Sequence, residues 1–184
     1  MIIDPRITIL SLDPGSLTAG FSIVSYSPVS KTYHVVKTVT GSGKEYLKIL
    51  KDIKKIHGDR VTRNLGYGFV FNELLQRYKP NVVASEEPHL RFLTAFRALV
   101  EQISVFRMHL FSYDPEMPYV LYKGSAVKNT LGVKGNSGDK ELMHKGLMAR
   151  TDITFAKNIL TDELDEHQVD SIAVAITHIE KNQL

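Results

Sequence analysis

Three acidic side chains and one histidine, far apart in the chain, carry the chemistry open to this sequence. Asp13 closes one apolar run and Glu86 closes another. Asp170 lies in the last apolar-periodic segment, with His167 one turn before it on the same helical face. Carboxylates at neighbouring strand ends, facing a helix, can hold hard divalent cations such as magnesium, with manganese able to substitute. Two such ions about 3.5–4 Å apart can activate a water and stabilise the leaving oxygen of a phosphodiester. The chain has no cysteine, so disulfides and thiolate metal sites are excluded. Any metal falls to Asp, Glu or His, and a reducing cytoplasm is the expected setting.

Taken singly, most of these residues have an ordinary explanation. Asp13-Pro14-Gly15 is a common turn sequence. Glu86 and Glu87, ahead of Pro88, suit surface charge at a strand end. The acidic run Asp162, Glu163, Asp165 and Glu166 suits a helix N-terminus, where negative charge meets the dipole. A lone histidine such as His167 is more often structural than functional. Asp170 differs. Flanked by Val169, Ile172 and Ala173, it falls near a buried face, where an unpaired carboxylate is costly and requires a partner or a metal.

The elements that must position these groups follow from the apolar pattern. Residues 7–12, 20–25 and 32–40 read as three strands joined by short turns, an antiparallel meander. Residues 82–85 and 119–122 read as two further strands. Helical periodicity covers residues 44–56, 66–78, 90–112 and 164–180, with shorter helices at 125–131 and 139–149 around a glycine-rich turn at 132–138. The apolar face of the 90–112 helix is wide enough to serve a dimer contact as well as a core. This order predicts one α/β domain over residues 1–184, a mixed five-stranded sheet flanked by helices. No apolar run approaches the ~20 residues of a membrane span.

Charge adds little by itself. The net charge is +3, too mild to point to nucleic acid alone. Lys44, Lys48, Lys51 and Lys55 recur at helical spacing as one stripe, ordinarily a solvated face and alternatively a phosphate-tracking one.

Taken in order, these segments resemble the RuvC family of Holliday junction resolvases, nucleases of ribonuclease H-like fold. The run Ile9-Leu10-Ser11-Leu12-Asp13-Pro14-Gly15-Ser16, then Thr18-Ala19-Gly20-Phe21, is similar to the family's opening motif with its catalytic aspartate. Pro80 to Glu87 is similar to the strand with the catalytic glutamate, a role that falls on Glu86. Asp170-Ser171-Ile172-Ala173-Val174-Ala175-Ile176-Thr177-His178 resembles the last helix, which opens at a catalytic aspartate. Many members carry a second aspartate three residues earlier, where this chain has His167. In the segment from Tyr122 to Glu141, Lys128 and Lys140 match basic residues beside the scissile backbone. Where the family often carries a junction-inserting aromatic, this chain has Pro88 and His89, with Phe92 slightly later.

The resemblance implies a homodimeric, magnesium-dependent endonuclease that nicks four-way DNA junctions symmetrically. Asp13, Glu86, His167 and Asp170 would be its metal ligands, and Lys128 and Lys140 its catalytic cations. Two alternatives remain open at this point. One is the same fold acting on flapped or otherwise branched DNA, or on RNA–DNA hybrid. The other is an inactive module that binds branched DNA.

Overall fold

The computed structural model describes residues 4–90, 92–133 and 140–184. Strands β1 (Ile7–Asp13), β2 (Thr18–Ser27) and β3 (Thr32–Ser42) form the expected antiparallel meander. Helices α1 (Gly43–Ile49) and α2 (Lys51–Tyr78) follow, then β4 (Val82–Glu86), α3 (Leu93–Tyr113), β5 (Tyr119–Tyr122) and α4 (Gly124–Thr130). Helix α5 (Lys140–Met148), strand β6 (Ile153–Phe155), a 3-10 turn (Thr161–Glu163) and α6 (Glu166–Asn182) complete the chain. The sheet runs in the order β5-β4-β1-β2-β3-β6, with β4 parallel to β1, β5 parallel to β4 and β6 parallel to β3.

The sheet is mixed and helix-flanked as expected, but it has six strands rather than five. Strand β6 is three residues long, too short for a period to show. Its place beside β3 is fixed partly by Arg150. That guanidinium donates to Asp152 Oδ2 at 2.6 Å, to Glu180 Oε1 at 2.7 Å and to the Thr130 carbonyl at 3.2 Å. It also lies 5.4 Å from the centre of the Tyr33 ring.

Side-chain alternation divides the molecule into two cores. Leu10, Leu12, Phe21 and Ile23 face α2 and α3, where Phe106 stands 5.8 Å from Phe21 edge-on and 4.9 Å from Phe71. Ile9, Val24, Val82 and Ala84 face the opposite way, against Val169, Ile172, Ala173 and Ile176 of α6. By the same alternation, Asp13 on β1 and Glu86 on β4 fall on the α6 side.

The expected helix over 44–56 is in fact two. The backbone leaves helical geometry at Leu50 (φ −98°, ψ 47°), so Lys44 and Lys48 belong to α1 while Lys51 and Lys55 belong to α2. The lysines do not form one straight stripe, and Lys55 sits 3.4 Å from Asp52. Helix α2 then runs through residues 57–65 to join the expected 66–78 helix, with a second break at Gly58. The φ of 79° at Gly58 is one that glycine adopts freely. Among the described residues, no helix is long and apolar enough to cross a membrane.

Candidate active site

The site forms where β1 and β4 end side by side. Their parallel register runs from Ile9↔Val82 to Leu12↔Ser85, which sets Asp13 beside Glu86 one step further along. Adjacent strands lie about 4.8 Å apart, so two carboxylates there feel each other directly. Helix α6 crosses above them. Its N-terminus is fixed by a capping box: the Asp165 side chain accepts from the Gln168 backbone at 2.9 Å, and the Gln168 side chain accepts from the Asp165 backbone at 3.0 Å. Thr40 of β3 donates to the other Asp165 oxygen at 2.6 Å.

Close approach of helix to sheet depends on small residues and buried hydroxyls. A Cβ at Gly20 on β2 would overlap the carbonyl oxygen of His167. Ser171, next to Asp170, has its hydroxyl 2.6 Å from that of Ser22, which in turn donates to Thr38 at 2.9 Å. All three hydroxyl residues are buried, so this chain locks the register of α6 on the sheet.

His167 stands between two partners. Its Nδ1 is 2.7 Å from Asp13 Oδ2, and its Nε2 is 2.5 Å from Thr18 Oγ1. Glu166 Oε1 lies 3.7 Å from the same Nε2. The Asp13 side chain is only 14% exposed.

Electrostatics make the carboxylates a coupled group. Burial pushes Glu86 up to about 8, the charges of Asp13 and Asp170 add to the rise, and Lys128 opposes it. Burial likewise raises Asp170 to about 7, with Asp13 adding and His167 and Lys128 opposing. Asp13 is raised by burial against the pull of His167. His167 is raised chiefly by its hydrogen bond to Asp13. These groups lie within one another's fields, although among the described residues no three of them converge on a single point as a finished ion cage.

Helix α4 brings one cation, Lys128, to the site. Gly124 opens it, and a Cβ there would crowd Glu86 Oε1 at 2.5 Å, so glycine leaves the carboxylate room. Lys128, one turn later, faces Glu86 and Asp170. A cleft of about 480 Å³ opens beside this helix, lined by Glu86, His89, Lys123, Ser125 and Lys128 among others. Phe92, the N-cap residue of α3, is 64% exposed beyond the cleft.

The structure thus brings Asp13, Glu86, His167, Asp170 and Lys128 to one place. Lys140 begins α5, and its side chain lies outside the described residues, as does most of the glycine-rich turn before it. Sequence pattern alone assigns no role to Thr18, Gly20 or Gly124. Thr18 and Gly20 meet their partner on α6, about 150 positions later, and no local pattern announces such a contact.

The donor set suits a divalent ion. Three part-buried carboxylates supply hard anionic oxygens, and a cation would relieve the cost of their burial, the main cause of their raised pKa values, as well as their mutual repulsion.

No family model matches this sequence, and no curated protein matches it. Solved structures do. RuvC of Thermus thermophilus in complex with a Holliday junction substrate superposes with a TM-score of 0.70 at 19% identity, covering 96% of this chain and 95% of that one. The yeast mitochondrial Holliday junction resolvase Ydc2 gives 0.63 at 13% identity, covering 96% and 79%. The fowlpox virus resolvase with its junction DNA gives 0.60 at 15% identity, covering 97% and 100%. Over nearly its whole length, therefore, this chain has the fold of the RuvC-type Holliday junction resolvases.

Proposed function

We propose that this chain is a divalent-metal-dependent endonuclease that resolves four-way DNA junctions by paired, symmetric nicks. The observation that carries the reading is the meeting of Asp13, Glu86 and Asp170 at one place on the sheet, beside a cleft that Lys123 and Lys128 line, in a fold shared with resolvases. A binding module has no use for buried acidic groups facing a polyanion.

Asp13, Glu86 and Asp170 would hold magnesium, with manganese able to replace it. The family pattern adds His167 to that set. Bound ions would activate water and stabilise the leaving oxygen, so that hydrolysis leaves a 5′-phosphate and a 3′-hydroxyl. Lys128 contributes from the chain itself. Its ammonium faces the site and compensates the charge that a phosphate gains as it is displaced. Lys140 is its second cation by sequence position. Lys123, on the rim of the same cleft, offers a further backbone contact.

The work is shared between two copies. The inward face of α3 buries Ile103, Phe106 and Leu110, while Val100, Met108 and Phe111 remain exposed on the outward side. A two-fold pairing through that face would place two sites on symmetric strands of one junction. We assign the whole of residues 1–184 to one nuclease domain, acting in a reducing compartment such as the cytoplasm.

A second reading keeps the chemistry and changes the substrate. Pro88 and His89 stand where a junction-inserting aromatic is common, which favours a flap or other branched DNA over a four-way junction. One experiment separates these readings: a labelled synthetic junction, a flap, an RNA–DNA hybrid and plain duplex, each incubated in magnesium and in chelator beside Asp170→Asn. Paired nicks on the junction that need magnesium and vanish in the variant are expected. Preferential nicking of the flap or hybrid moves the assignment to the second reading, and tight junction binding without nicking reduces the protein to a binding module.

A further inference from the structure

Positive charge is not spread evenly over this chain. Residues 43–63 hold seven of its 23 lysines and arginines but only three of its 20 acidic residues, a net charge of +4. All other residues together, 16 cations against 17 acids, come to −1. The net positive charge of the molecule therefore sits on α1 and the first turns of α2.

The fold sets that charge beside the site. Strand β3 ends at Ser42, which pairs with Thr18 at the start of β2, close to where Gly20 pairs with Asp13. The next residue opens α1, and the Gly43 amide donates to the Leu17 carbonyl at 2.9 Å. Helix α2 is anchored to this end of the sheet at Tyr67. A Cβ at Gly41 would crowd its ring, and Tyr46 of α1 stands edge-on to it with centroids 5.2 Å apart. Residues 51–61 precede that anchor, and all are exposed except the half-buried Ile53. Arg60 ties them to Glu101 of α3 at 2.8 Å. This stretch of helix is about 15 Å long, a length over which duplex DNA carries about nine charges.

The arm gains little from its own charges. Lys44 and Lys48 are four residues apart on α1, as are Lys51 and Lys55 on α2, and like charges at that spacing repel. Asp52 relieves Lys55 at 3.4 Å and Asp59 relieves Lys54 at 3.5 Å. Lys44, Lys48 and Lys51 are exposed and have no ion pair among the described residues.

We propose that this α1–α2 arm grips the backbone of a DNA duplex leading away from the cut, with Lys44, Lys48 and Lys51 on its phosphates. Lys123 and Lys128 approach the carboxylates from the β5 side and the arm stands on the β3 side, so a duplex held by both crosses the site. Such contacts position DNA and carry no sequence information. The inference rests on the nuclease reading above and adds a second DNA-binding surface to it. Exposed Ile49 and Ile56 make an anionic membrane the competing partner. DNA is favoured because the neighbouring site, as a nuclease centre, already brings a polyanion to this end of the sheet.

The test is binding of a labelled four-way junction in chelator over a range of salt, followed by nicking in magnesium. The triple variant Lys44→Gln, Lys48→Gln, Lys51→Gln is expected to bind roughly 10- to 100-fold more weakly, with the slope of log affinity against log salt reduced by about 2–3. Its nicking rate at saturating junction is expected to match wild type. Arginine at the same three positions is expected to restore affinity. Lys31→Gln, Arg77→Gln, Lys79→Gln removes equal charge from the opposite end of the sheet and is expected to keep the wild-type slope. A glutamine triple with wild-type affinity and slope overturns the proposal, as does a far-end triple that loses as much. Capture of wild type but not of the Lys44, Lys48, Lys51 glutamine triple by phosphatidylserine vesicles, with equal junction binding, assigns the arm to a membrane instead. A wild type that binds neither junction nor duplex removes the nuclease reading itself, and this inference with it.

Discussion

Glu86 and Asp170 hold carboxyl groups where water is scarce and like charge is close. The sign of the consequence is fixed by their raised values. Between the ordinary and the raised pKa, the folded state binds more protons than the unfolded chain, so stability falls as pH rises. The window runs from 4.5 to about 8 for Glu86 and from 3.8 to about 7 for Asp170. In chelator, Asp170→Asn is therefore expected to melt above wild type. The gap should widen from pH 5 to pH 8 by about 2–4 °C for each kcal/mol relieved. Magnesium, the ion proposed for this site, is expected to narrow it by favouring the ionised carboxylates. A melting difference that stays flat across this pH range in differential scanning fluorimetry contradicts the coupled, buried cluster. The same residues show what a sequence makes legible. Asp13, Glu86 and Asp170 stand out because each ends or opens a recognisable apolar segment. Thr18 does not, because a hydroxyl at a strand start is unremarkable until His167 is seen against it.

Helix α6 is the element on which the site turns, and glycine on the neighbouring strand governs how close it comes. In Gly20→Ala the new methyl meets the His167 carbonyl oxygen, so α6 must lift or β2 must bend. Overpacking against backbone has no flexible side chain to absorb it, and a loss of about 3 kcal/mol in urea denaturation is expected. Nicking should fall further than stability does, because Asp170 moves with the helix. Unchanged denaturation and full activity in Gly20→Ala mean that this contact does not set the height of α6. The long elements were readable from periodicity. The break at Leu50 was not, because Leu50 continues the apolar pattern of the helix whose geometry it interrupts. Strand β6 escaped for a different reason. It is held by a parallel pairing with β3 and by Arg150, whose partners Asp152 and Glu180 mean nothing as a set until the chain is folded.

At the scale of the molecule, the outward side of α3 leaves Met108 and Phe111 each 71% exposed. Two large apolar side chains one turn apart on a surface helix favour burial in a second copy. The double variant Met108→Lys, Phe111→Glu is expected to shift the protein from dimer to monomer in light scattering, and to replace paired nicks by single ones. A wild type that is monomeric at micromolar concentration and still nicks in pairs excludes this face as the dimer contact. The wiring of the sheet has a consequence of another kind. Asp13 comes from the first strand and Asp170 from the last helix, and every other contributor to the site lies between them. During synthesis, the chain emerges from the ribosome with its acidic residues in strict order, and the final one arrives only after the whole sheet has been made. A nascent or truncated chain that lacks α6 is without Asp170, so the site is complete only once the last helix has been made.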